Sequence, residues 1–102
     1  MLDFNPQTGH EQKGRRPALV VSNRDFNRIT NLAFVCPITG TIRKFPLHVA
    51  LDRHTKTTGA IMCEQLKSLD INARNAVFVE KVPRDIIDEV VDIIYGSIER
   101  LV

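Results

Sequence analysis

Up to about residue 80 the apolar residues of this chain come in runs too short, and at the wrong spacing, to build a helix around which a core could form. After that point the spacing changes. Ala18-Leu19-Val20-Val21 is short and β-branched at its end, and Pro17 stands at its first position, where the missing N–H is tolerated. Leu32 to Ile38 is a second run of the same kind, closed by the turn residues Thr39-Gly40-Thr41. From Phe45 to Leu51 the sequence alternates, with Phe45, Leu47, Val49 and Leu51 on one face and Pro46, His48 and Ala50 on the other. The same reading makes Leu2-Asp3-Phe4 an opening strand, Gly59 to Leu69 two short strands or one bent strand, and Ala76 to Val79 a short last strand. Asn23 to Asn31 is polar, with one helical turn capped by Ser22 or Asn23.

The tail has helical spacing. Ile87, Val90, Val91, Ile94, Ile98 and Leu101 fall on one helical face, Pro83 suits the first turn, and Asp85, Asp88 and Glu89 lie near the positive end of the helix dipole. Roughly eighteen residues make a helix about 27 Å long, whose apolar stripe needs a small sheet to cover. The expected fold is mainly β with a C-terminal α-helix: five or more short strands in a sheet or small barrel, closed by the helix. At 102 residues there is room for one core, so residues 1–102 form a single domain.

Composition excludes several classes. No apolar run approaches the roughly 18 residues needed to span a bilayer, and no charged-then-apolar leader opens the chain, so a cytoplasmic protein without membrane contact is expected. Cys36 and Cys63 sit in apolar surroundings, and His10, His48 and His54 are scattered. This is the pattern of two buried thiols rather than a metal site, and it implies no metal or other cofactor. A ribonuclease built on a pair of histidines is likewise unsupported. The net charge of +2 names no partner, but its distribution is uneven. Residues 10–16 carry three cations against one anion, and residues 80–92 carry five acids against Lys81 and Arg84.

Taken singly, the candidate functional residues are ambiguous. Glu11 with Arg15 or Arg16 reads equally as an exposed ion pair of little energetic weight. Arg16 is more constrained, because Pro17 holds it extended at the mouth of a strand, a suitable place for a guanidinium that grips phosphate. Thr39 ends a strand before Gly40, where its hydroxyl serves either a local turn or a ligand. Glu64-Gln65 is a polar pair inside an apolar stretch, and Gln65 is the better candidate for a pocket or interface.

The order of the pieces is more specific. Asp3-Phe4-Asn5-Pro6 followed by Gly9-His10-Glu11-Gln12-Lys13-Gly14-Arg15-Arg16-Pro17-Ala18-Leu19-Val20-Val21-Ser22 resembles the opening signature of the MazF/PemK (Kid) toxin family. Pro37-Ile38-Thr39 before a basic loop, Phe45-Pro46-Leu47-His48-Val49 and Cys63-Glu64-Gln65-Leu66-Lys67-Ser68-Leu69-Asp70 fit the same pattern, so the resemblance spans essentially the whole chain.

That resemblance implies a small SH3-like barrel of the MazF/Kid/CcdB type, assembled as a homodimer. It also implies a toxin that cuts single-stranded RNA at short sequences without a metal, restrained by a MazE-like antitoxin with a disordered acidic tail. The implied reaction is attack of a ribose 2′-OH on its own phosphate, leaving a 2′,3′-cyclic phosphate and a 5′-OH. Matched position by position, Arg16 becomes the phosphate clamp and candidate acid. Thr39 donates to a phosphate oxygen, and Glu11 is the base or the group that orients Arg16. Lys13, Arg15, Arg43 and Lys44 become contacts to the RNA backbone, and Gln65 helps to bind bases. The sequence departs from the family at its start, where members usually carry several more residues of strand one, which bears on the pairing of that strand. A CcdB-like gyrase poison would share the fold but carry a Trp-containing tail, and this chain has no Trp. A catalytically silent RNA-binding module would be expected to lack Arg16 or Thr39.

Overall fold

The computed structural model describes residues 1–3, 14–41 and 43–99. Its organising element is β4 (Ala33–Thr39), which is paired along both edges. One edge takes β3 (Ala18–Val20) antiparallel, with Leu19 opposite Cys36. The other edge takes two short strands in succession. Strand β6 (Ala60–Met62) pairs the C-terminal end of β4, Ile38 with Ile61, and β7 (Lys67–Leu69) pairs its beginning, Ala33 with Leu69. Between β6 and β7 the chain makes a 3-10 turn, Cys63–Gln65, so the register on β4 slips by the length of that turn.

This break explains how β4 tolerates Pro37 in its middle. Ala18 faces Pro37 in a register whose hydrogen bonds run instead from Val21 N–H to the Phe34 carbonyl and from Ile38 N–H to the Pro17 carbonyl. Position 37 therefore aims its absent N–H at the other edge, where the turn interrupts the ladder.

Strand β5 (His48–Ala50) pairs with β6 and ends the sheet, whose order is β3-β4-β6-β5 with β7 also on β4. The mainly-β fold with a C-terminal helix is as expected, but among the described residues β3 and β5 do not pair, so the sheet is not closed into a barrel. A separate two-stranded ladder joins β1 (Leu2–Asp3) to β2 (Arg15–Arg16).

One face of the sheet carries the larger core. Leu19, Cys36, Ile38, Val49, Ile61 and Cys63 pack there with Ile86 and Val90 of helix α2 (Arg84–Gly96). Ala33 and Val35 pack apart from that cluster with Ala18, Leu69 and Ile71. Helix α2 is shorter than expected, and its buried side matches the expected stripe at Ile87, Val90 and Ile94 but not at Val91 or Ile98. It ends at Gly96, and the core takes Ile86, Val90, Ile87, Ile93 and Ile94, while Val91 and Ile98 are 42% and 59% exposed.

Helix α1 (Arg24–Thr30) makes a full seven-residue helix where a single turn was expected. Asn23 caps it by accepting from Phe26 N–H at 2.8 Å, and Asn31 ends it in the left-handed region at φ 60°. The alternating stretch from Phe45 forms a strand only at His48–Ala50, because a turn closed by His48 N–H on the Phe45 carbonyl precedes it. Residues 76–79 form no ladder strand. Among the described residues Val77 exchanges a reciprocal pair of bonds with Met1, Ala76 N–H closes a turn on the Ile71 carbonyl, and Phe78 is 82% exposed. No described helix is long and apolar enough to cross a membrane.

Gly59 is required where β6 begins. Its φ is +120°, and a Cβ built there would lie 2.1 Å from the carbonyl oxygen of Thr39. Gly59→Ala should therefore destabilise the fold by about 2–4 kcal/mol, from backbone strain and the forced shift of β4. Denaturant unfolding measures this, and a loss below about 0.5 kcal/mol, the range of surface changes, would contradict it.

Candidate functional site

The end of β4 brings the two best sequence candidates together. Ile38 N–H donates to the Pro17 carbonyl at 3.0 Å, which continues the β3–β4 register past Ala18. One residue further along that register, Arg16 stands across from Thr39. Arg15 and Arg16 alternate along β2, Arg15 exposed and Arg16 half-buried. Arg16 lines a cleft of about 630 Å³ with Pro17, Ile38, Gly40 and Thr58. Thr39 lines a neighbouring cleft of about 910 Å³. Its hydroxyl oxygen accepts from Thr41 N–H at 3.2 Å, the local turn bond weighed from sequence, and this leaves the hydroxyl hydrogen available to a ligand.

The remaining candidates divide. Arg15 donates through Nη2 to the Asn75 carbonyl at 2.9 Å, so it tethers the 71–75 turn to β2. Arg43 lines the larger cleft, with its guanidinium carbon 5.7 Å from the centre of the Phe45 ring, and Lys44 is exposed. Gln65 also lines this cleft, so the polar member of an apolar stretch does face a pocket. Glu11 and Lys13 lie outside the described residues, as do the Phe4-Asn5-Pro6 and Gly9-His10 parts of the opening motif.

Three ionisable residues of the larger cleft, His48, Glu64 and Lys67, were given no site role from sequence. His48, on β5, places Nε2 3.0 Å from Oε2 of Glu64, and their side chains are 3% and 26% exposed. Lys67, at the start of β7, adds a cation to the wall. The break in apolar alternation at Glu64-Gln65 was the available signal for Glu64, and His48 gave none as a polar residue on the presumed outer face of a strand.

Neither thiol is suited to nucleophilic work. Burial pushes Cys36 up to about 12 and Cys63 up to about 11, helped in both by the charge of Glu64. Among the described residues no three His, Cys, Asp or Glu side chains come together as a metal-ligand set.

The loop beside Arg16 is fixed by Glu80. Its carboxylate accepts from Lys56 N–H at 3.0 Å, from Thr57 N–H at 2.8 Å and from the Thr57 hydroxyl at 3.0 Å, one residue before the cleft-lining Thr58.

The sequence and fold are similar to those of known proteins. Residues 1–97 match the family model described as PemK-like, MazF-like toxin of type II toxin-antitoxin system. Endoribonuclease PemK of Escherichia coli is 38% identical over 94 residues, covering 88% of this chain and 71% of that protein. Endoribonuclease toxin MazF of Escherichia coli strain K12 is 35% identical over 75 residues, covering 74% of this chain and 67% of the other. A crystal structure of MazF from Deinococcus radiodurans superposes with a TM-score of 0.88 at 38% identity, over 93% of this chain and 86% of that one. A MazE-MazF crystal structure from the same organism gives 0.81 over the same shares. The chain belongs to the PemK-like, MazF-like toxin family of type II toxin–antitoxin systems.

The Glu80 contacts carry a pH dependence. Hydrogen bonds from the Lys56 and Thr57 backbone, and then from the Thr57 hydroxyl, hold its carboxyl below the ordinary 4.5. A carboxyl depressed in the folded state stabilises above its unfolded value and stops doing so as pH falls through its folded value. Melting-temperature differences between wild type and Glu80→Ala should be full at neutral pH and shrink below 4.5. A difference independent of pH would contradict the assignment.

Proposed function

We propose that this toxin cleaves single-stranded RNA at short sequences without a metal, by attack of a ribose 2′-OH on the adjacent phosphate. Its class, an endoribonuclease toxin of a toxin–antitoxin pair, follows from its family and from relatives named as endoribonucleases PemK, MazF, ChpB and EndoA. The finer reading is supported by the Ile38 N–H bond to the Pro17 carbonyl, a register that one step further sets Arg16 across from Thr39, with each residue lining a cleft there. A phosphate there would meet a permanently charged fork and a hydroxyl donor at once.

Transesterification at phosphorus needs a base for the 2′-OH, stabilisation of the phosphorane and a proton for the departing 5′-oxygen. Arg16 supplies the charge that a metal ion otherwise supplies, and it is the candidate acid. Thr39 donates its free hydrogen to a non-bridging oxygen. Glu11 takes the role of base or of orienting Arg16. Lys13, Arg15, Arg43 and Lys44 serve as contacts to the RNA backbone, with Arg15 held in part by Asn75.

An antitoxin partner accords with the MazE-MazF structures. In this reading its acidic tail occupies the RNA groove near Arg16 and so blocks the substrate. The active form is a homodimer joined through the Phe45–Leu51 and Ile61–Leu66 regions, where Phe45 and Leu66 are exposed apolar side chains.

Arg16→Ala and Thr39→Ala should each lower the single-turnover cleavage rate about 10²–10³-fold, as loss of a transition-state donor does, and change the melting temperature little. Arg15→Ala should weaken RNA binding and its salt slope while sparing the chemical step. Single-turnover kinetics on a mapped RNA, with thermal melts of the same proteins, measure both effects. Near wild-type rates in both of the first two variants would overturn the site.

A further inference from the structure

The segment from Asn75 to Glu80 belongs to no strand, yet it is tied at both ends to the surroundings of Arg16. At one end the Asn75 carbonyl accepts from Arg15 of β2, and Val77 exchanges two backbone bonds with Met1, next to the ladder that pairs Leu2 with Arg16. At the other end the Glu80 carboxylate accepts from Lys56 N–H, Thr57 N–H and the Thr57 hydroxyl. The segment therefore links the ladder that carries Arg16 to the loop that supplies Thr58 to the same cleft.

That loop, residues 52–59, borders both groups assigned to the reaction. Thr58 lines the cleft with Arg16. Gly59 lies so close to Thr39 that an added Cβ would stand 2.1 Å from the Thr39 carbonyl oxygen, and Ala60 pairs with Thr39 in the ladder. Bonds inside the loop fix its shape. The Thr55 hydroxyl donates to the Asp52 and Thr57 carbonyls, and Leu51 N–H closes the base on the Gly59 carbonyl. They do not fix where the tip lies. Among the described residues, the hydrogen bonds that reach residues 56–58 from outside the loop all end on Glu80. An ionised acceptor with three donors is a stronger tie than a neutral one.

We propose that Glu80 is a positioning residue for RNA cleavage. By clamping residues 56 and 57 it holds Thr58 and Gly59 against the surroundings of Arg16 and Thr39, and so sets the spacing of the two groups that meet the phosphate. The inference rests on the cleavage reading given above. Glu80 acts through the loop backbone, not on the RNA. Misplacing reacting groups by about 1 Å costs about 10²-fold in rate. The β4–β6 ladder remains when Glu80 is lost, so the shift is smaller and the cost is nearer tenfold. Removing a carboxylate from beside a polyanion site strengthens the attraction for RNA rather than weakening it. A slower reaction with unchanged or tighter binding is therefore the mark of positioning.

The test is single-turnover cleavage of a defined RNA by the full chain in excess, well below the melting temperature of every variant. Glu80→Ala should cut about tenfold more slowly at saturating protein, on the scale of a sub-ångström misplacement, while the half-saturating protein concentration stays the same or falls. Glu80→Gln keeps one acceptor oxygen but turns an amide toward a backbone N–H, so its rate should lie between the two. Thr57→Val loses only the hydroxyl bond and should stay within about twofold of wild type. Amide hydrogen exchange should find Lys56 and Thr57 protected in wild type and released in Glu80→Ala.

An unchanged saturating rate in Glu80→Ala overturns the role, as do unprotected Lys56 and Thr57 amides in wild type. So does a loss confined to the half-saturating concentration, or one that disappears on cooling and so reports stability alone. Wild type that cuts no RNA overturns the nuclease reading and this role with it. Wild type that cuts no faster than Glu80→Ala loses the role and keeps the nuclease.

Discussion

Strand β4 is hydrogen-bonded along both edges, and the rest of the molecule is arranged by that. Because β3 holds one edge in register, the Pro17 carbonyl falls on Ile38 N–H, and Arg16 follows opposite Thr39. Because β6 and β7 share the other edge with a 3-10 turn between them, Glu64 and Gln65 leave the ladder and turn into the cleft beside Thr39. Pro37 is compatible with a central strand only at that break. The same short stretch of backbone therefore fixes the packing of the core and positions both clefts.

Two electrostatic environments meet at the end of this strand. On one side a half-buried arginine lies beside a loop fixed by Glu80. On the other, a single carboxylate held by a buried imidazole sits in a wall that also carries Arg43 and Lys67. A polyanion is drawn by the cations without regard to sequence.

Much of this was legible in the sequence because it depends on local chemistry. Apolar runs of strand length, Pro17 at the start of its strand, Asn23 as a cap and a helical tail all express short-range rules. What was missed depends on tertiary context. Of the expected stripe on α2, Ile87, Val90 and Ile94 meet the core, whereas Val91 and Ile98 are exposed and Ile86 takes a core place that the pattern did not assign. A last strand at Ala76 to Val79 fits β-propensity, but among the described residues Val77 pairs with Met1 alone. Thr39 and Arg16 were found through their neighbours in the chain. His48 was not, because its role depends on Glu64, sixteen residues away in sequence.

The central claim is that a charged side-chain clamp, not a metal ion, drives attack by the RNA's own 2′-OH. The most direct measurement is the chemistry of the ends left when purified protein cuts a defined RNA in excess EDTA. The account predicts undiminished cutting, with a 2′,3′-cyclic phosphate or its opened form on one fragment and a 5′-OH on the other. Cutting that stops in EDTA and returns with magnesium, or fragments that carry 5′-phosphates, would contradict it.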